Sequence, residues 1–122
     1  MDRRPLGVGI INLAYFLAKR GLKYDESAFK IVDEYAEAWS YYLIKASADL
    51  AQEKGKINLN NETKYGHGVV PIDTYKSAID NLIKHSERMK WDKLRTQLKS
   101  TGIRNSTLMA LMPAETSAQI SN

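Results

Sequence analysis

Residues 103–122 read IRNSTLMALMPAETSAQISN, and this stretch decides how the rest of the chain is read. Residues 105–112 are mostly apolar and carry no Gly or Pro. They are too few for a comfortable isolated helix, so they are expected to form a short buried strand. Pro113 stops that run, and Glu115, Thr116, Ser117 and Gln119 follow with the composition of a first helical turn. A strand, a proline-marked bend and a helix start rich in hydroxyls and small residues suit the holding of an anion. The first N–H groups of a helix lack intrahelical partners, and the macrodipole places partial positive charge there. An ordinary capped helix whose amides bind water has the same signature, and spacing alone leaves both open.

Working outward, 122 residues allow one domain, 1–122, in which 103–122 form the strand and anion-binding turn. Hydrophobic residues at 43% and charged residues at 26% place the chain among ordinary globular proteins rather than disordered or fibrous ones. No run approaches the roughly 20 apolar residues that span a bilayer, and no signal-peptide pattern follows the first residues. A soluble, cytoplasmic protein with no membrane partner is expected. The chain has no cysteine, which removes disulfides, thiolate metal sites and cysteine nucleophiles together.

The net charge is +4, and residues 84–104 hold seven bases against two acids. Only Trp91 accompanies them, with no glycine-rich or aromatic-interleaved pattern, so a solvated helix face is the expectation and nucleic acid is not an expected partner.

Residues 6–19 are apolar at nearly every position, which predicts a helix buried on most sides, with Gly21 just past its end. Gly7-Val8-Gly9 is not a dinucleotide fingerprint, because Asn12 replaces the third glycine and no strand precedes it. These glycines instead allow another backbone to approach closely. Asp25 is expected to cap a second helix running to about Lys54, with Gly55 as its stop. Val32, Tyr35, Ala36, Trp39, Leu43, Ala46 and Leu50 recur at helical spacing and form its predicted buried stripe. Adjacent Tyr41 and Tyr42 point about 100° apart, so one is expected in the core and the other on the surface rather than as a redox pair.

Residues 56–71 form the longest irregular segment. His67 there lacks a second ligand at metal-site spacing, and no metal site is expected. Asp73 is expected to cap a third helix to about His85, burying Tyr75, Ile79, Leu82 and Ile83. A fourth helix spans 91–101, with Leu94 and Leu98 inward and Gly102 ending it. The fold class is therefore mainly α, with four to five helices and one short strand near the C-terminus. That lone strand has no partner among these elements, and an unpaired buried strand leaves its amides unsatisfied. The chain is expected to be part of a larger fold.

The residues RPLGVGI from Arg4, NETKY from Asn61, PIDTYK from Pro71 and RNSTLMALMPAETSAQISN from Arg104 together resemble the large, catalytic subunit of class I ribonucleoside-diphosphate reductase. The resemblance covers essentially the whole chain, but only one piece of the much longer subunit. It implies a piece of a ten-stranded α/β barrel that reduces ribonucleoside diphosphates to deoxyribonucleotides with a thiyl radical. It also implies that Ala114, Glu115, Thr116 and Ser117 form the turn that binds the substrate diphosphate. The implied partners are the remaining segments of the large subunit, the small radical-generating subunit and the nucleoside diphosphate, with a homo-oligomer also open.

There are departures from the family pattern. Ala114 and Ala118 stand where serines are usual, removing up to two hydroxyl donors. A hydrogen bond to a charged group is worth about 1.5–3 kcal/mol, so phosphate affinity is expected to be weaker. Lys90 replaces a common helix-capping acid, and His67 replaces a different polar residue. The radical cysteine and its redox partners are absent, so no catalytic residue and no cofactor are assigned to this chain. The rival expectation, from another class, is a non-catalytic helical module that self-associates or binds a protein through exposed apolar surface.

Overall fold

The structure is a computed structural model, which describes residues 2–84, 87–113 and 119–120. Among these, three α-helices occur: α1 (Leu13–Ala18), α2 (Phe29–Lys54) and α3 (Trp91–Thr101). Short 3-10 turns fill much of the remainder, at Glu26–Ala28, Asn60–Glu62, Tyr65–His67, Pro71–Asp73 and Ser77–Asn81. The chain is mainly helical as expected, but the four to five helices and the C-terminal strand are not borne out. Among the described residues, β pairing is limited to one isolated parallel bridge between Val8 and Met109.

The helix expected over 6–19 shrinks to the six residues of α1. Pro5, Gly7 and Gly9 disfavour helix, and Val8, Ile10 and Ile11 are β-branched. An apolar residue at nearly every position has no 3.6-residue period, and it fits an extended segment equally well. Residues 6–8 are extended and hydrogen-bond to 107–110. Leu6 N–H donates to Thr107 O at 3.0 Å, Val8 N–H to Leu108 O at 2.8 Å, and Ala110 N–H to Val8 O at 3.0 Å. The extended segment expected to lack a partner has one, supplied by residues 6–8, where a helix is expected. Asn12, in the left-handed region at φ 62, turns the chain into α1. Gly21, at φ 67, ends it, with Gly21 N–H on Ala18 O and Leu22 N–H on Leu17 O. That is the Schellman closure, which needs a left-handed residue at this position.

Asp25 acts where expected, through one extra turn: its carboxylate accepts from Ser27 N–H at 3.0 Å, and the 3-10 turn leads directly into α2. Gly55 ends α2 at φ 87. The helix is 26 residues long, roughly 39 Å at 1.5 Å per residue. Its buried line is Glu37, Tyr41, Ile44, Ser47, Ala48 and Ala51. This differs in phase from the predicted stripe, of which Tyr35, Ala46 and Leu50 are exposed. The helix has two apolar faces, and periodicity cannot say which one the other elements cover. Tyr41 is 7% exposed and Tyr42 61%, one in the core and one out.

The helix expected over 73–85 is replaced by the 3-10 turns Pro71–Asp73 and Ser77–Asn81. Asp73 caps no helix there; its carboxylate turns to other partners. It accepts Val70 N–H at 3.0 Å and pairs with Arg95 at 2.6 Å. Tyr75, Ile79 and Leu82, expected to be buried, are exposed, and Ile83 is half-buried. The expected end at His85 lies outside the described residues.

α3 spans the expected residues, with Trp91, Leu94 and Leu98 buried and Gly102 closing it at φ 74. The core joins Tyr41, Ile44 and Ala48 of α2 to these three and to Ile57, Val70, Ile103 and Leu108. Trp91 meets Tyr41 edge-to-face at 5.3 Å between ring centres. No helix among the described residues is long and apolar enough to cross a membrane.

Candidate phosphate-binding end

The segment leading to Pro113 is fixed at its base by buried polar groups. Ile103 is fully buried; its N–H donates to Asn60 Oδ1 at 2.9 Å, and its carbonyl accepts Ile57 N–H at 3.0 Å. Arg104 turns outward and donates to the carbonyls of Lys54 and Gly55 at 3.2 and 2.9 Å. A cation on the last carbonyls of α2 suits the negative end of its dipole. Ser47 Oγ donates to Asn105 Oδ1 at 2.7 Å and accepts the Asn105 N–H at 3.1 Å. Asn105 Nδ2 then donates to Arg4 O at 3.0 Å, tying α2, this segment and the N-terminal residues at one point.

From there Leu108 fills the core, and Val8 pairs on either side of Met109. Beyond Ala110 the chain leaves the core: Leu111 is 84% exposed, and Met112 and Pro113 are exposed too. Gly9 lies against this exit. A Cβ there would collide with the Ala110 carbonyl oxygen and come within 2.7 Å of the Met112 sulfur. The close backbone approach expected of the Gly7-Val8-Gly9 stretch is thus realised, and the approaching backbone is the one that carries Pro113.

Ala114, Glu115, Thr116 and Ser117 lie outside the described residues, as does Ala118. What the structure places is the run up to them, delivered as exposed chain at the end of the paired segments.

Several polar residues elsewhere had no signal in the sequence. Glu37, on the buried face of α2, accepts Trp91 Nε1–H at 3.0 Å, Arg88 N–H at 2.8 Å and Met89 N–H at 3.1 Å. It therefore secures the approach to α3, where Lys90 makes no side-chain cap. Arg88 lies 3.5 Å from Glu37 and 3.2 Å from Glu34. Asp73 is held below the usual carboxylate range by its hydrogen bond from Arg95. Burial pushes the Tyr65 phenol up. His67 Nε2 donates to Asn61 O at 2.9 Å. Among the described residues, no group of three or more His, Asp or Glu is placed to hold a metal.

All 122 residues match the family described as ribonucleotide reductase, barrel domain. The chain belongs to that family. It is 51% identical over 123 residues to the ribonucleoside-diphosphate reductase 1 subunit alpha of Salmonella typhimurium and, equally, to that of Escherichia coli. It is 46% identical over 120 residues to the ribonucleoside-diphosphate reductase subunit alpha of Enterobacteria phage T4. In each case essentially all of this chain is matched, but it spans only 16% of the relative's length.

Proposed function

We propose that this chain is a working segment of a ribonucleoside-diphosphate reductase large subunit, and that Ala114, Glu115, Thr116 and Ser117 form the turn that holds the substrate diphosphate. The observation that carries the reading is the parallel pairing of Val8 with Met109, which is followed by exposed chain at Leu111, Met112 and Pro113. In an α/β barrel, ligands bind beyond the C-terminal ends of parallel strands, and residues 114–117 follow the C-terminal end of this extended segment in sequence. The sequence pattern after Pro113 is that of a helix start, whose free amides, with the hydroxyls of Thr116 and Ser117, would supply donors to a dianionic group. The family match over all 122 residues of this chain favours this over an independent interaction module.

Within that assembly the segment binds and orients, while the thiol chemistry comes from other residues, since this chain has no cysteine. Its partners are the rest of the large-subunit barrel and a small radical-generating subunit, in the cytoplasm. The test is a titration of the 15N-labelled chain with pyrophosphate. Saturable shifts of the Glu115, Thr116 and Ser117 amides, absent with chloride at equal ionic strength, are expected. Unmoved amides at those positions contradict the assignment.

A further inference from the structure

We propose that Gly9 is a positioning residue for the diphosphate turn, setting the path of the chain through Met112 into Pro113; this rests on the function proposed above. Neither Gly7 nor Gly9 has a positive φ, so their backbone conformations are open to other residues. What differs is the space around them. Among the described residues, a methyl at position 7 would meet only the Ala110 Cβ, at 3.3 Å. A methyl at position 9 would meet the Ala110 carbonyl oxygen, which is backbone, together with the Met112 Cε and Sδ at 2.6 and 2.7 Å.

The placement matters because of what stops there. Val8 N–H to Leu108 O and Ala110 N–H to Val8 O fix the register on both sides of Met109. Among the described residues, the Ala110 bond is the last between these two segments. Past it, Leu111, Met112 and Pro113 are exposed, and the thioether of Met112 rests in the space left by the missing side chain of Gly9. The proposed binding turn, residues 114–117, follows Pro113 in sequence. Filling that space displaces both the Ala110 carbonyl and the Met112 side chain, and so redirects the entry to the turn. None of the three atoms nearest the added methyl belongs to the core around Trp91.

The experiment compares the full chain with its Gly9→Ala and Gly7→Ala variants by 15N NMR, without ligand and with pyrophosphate. In Gly9→Ala, amide exchange at Ala110 is expected to rise about tenfold or more, and the resonances of residues 112–117 to move, while the Trp91 indole signal stays in place. Pyrophosphate affinity is expected to fall at least tenfold in Gly9→Ala and less than threefold in Gly7→Ala. Wild-type exchange at Ala110 with unmoved resonances overturns the inference, as does wild-type affinity in Gly9→Ala. Loss of the Trp91 signal in that variant also overturns it, because the effect is then on the whole fold. If pyrophosphate leaves Glu115, Thr116 and Ser117 unmoved in the unaltered chain, the proposed function fails, and the ligand-free comparison still decides whether Gly9 sets this path.

Discussion

Trp91 donates its indole N–H to Glu37 at 3.0 Å, across 54 positions of sequence, and the same carboxylate oxygen receives the N–H groups of Arg88 and Met89. Glu37 is 6% exposed, so these three donors have little water to turn to. Removing one member of a buried, hydrogen-bonded charged cluster is costly because the others are left unsatisfied. Glu37→Ala is expected to lower unfolding stability by about 3 kcal/mol. Glu37→Gln keeps one acceptor oxygen and is expected to lose less. Urea midpoints followed by Trp91 fluorescence check the order, and equal losses in the two variants contradict it.

Asn105 and Ser47 form the second polar tie, the one that anchors the base of the segment carrying Pro113. Asn105→Ala leaves the Ser47 hydroxyl and the Arg4 carbonyl without these bonds, at an expected cost of about 1–3 kcal/mol. Amide exchange at Ser106, whose N–H donates to Arg3 O, is expected to rise with it. Unchanged protection at Ser106 would show that the two segments are held by their backbone bonds alone.

Exposed and buried leucines separate the observed fold from the one expected over residues 73–85. Leu82 is 64% exposed, so Leu82→Ser is expected to change stability by no more than about 0.5 kcal/mol. Leu98 is fully buried in the core, and Leu98→Ala is expected to cost about 2–5 kcal/mol. Chemical denaturation measures both. A cost for Leu82→Ser like that of Leu98→Ala means that residues 77–82 pack as the helix first expected.

Acid should weaken the link between α3 and the turn Pro71–Asp73. The Asp73 carboxyl is lowered from 3.8, first by its hydrogen bond from Arg95 and then by Val70 N–H. A carboxyl lowered in the folded state stabilises fully above its unfolded value, and that stabilisation is lost as pH falls through the folded value. Asp49, lowered by Lys45 and Gln97, acts in the same direction. The urea midpoint is expected to fall as the pH drops below about 4, and less steeply in Asp73→Asn. Parallel curves for the two proteins remove Asp73 from the account.

Much of this was legible in the sequence wherever one residue acts locally. Asp25 and Gly55 bounded α2, while Leu94, Leu98 and Gly102 defined α3, because capping and a single apolar stripe are short-range signals. The 6–12 segment was not legible, since uninterrupted apolarity serves an extended segment as well as a buried helix. Its partner lies 100 residues away at Thr107, Leu108 and Ala110. The buried face of α2 was missed for a related reason: Val32, Trp39 and Leu43 make as good a stripe as Tyr41, Ile44 and Ala48. Among the described residues, an apolar groove of about 620 Å³ between α1, α2 and the 3-10 turn Ser77–Asn81 continues that second apolar surface. The family resemblance was legible from its motifs, and the turn that it points to begins just beyond Pro113.

The most direct measurement is reconstitution. The chain is mixed with polypeptides supplying the remainder of a reductase large subunit, together with the small subunit, and reduction of a nucleoside diphosphate is followed. Turnover that requires the chain, and a raised KM for the diphosphate when Thr116 and Ser117 are both changed to Ala, are expected. Reduction at the same rate with the chain omitted, or an unchanged KM in the double variant, contradicts the account.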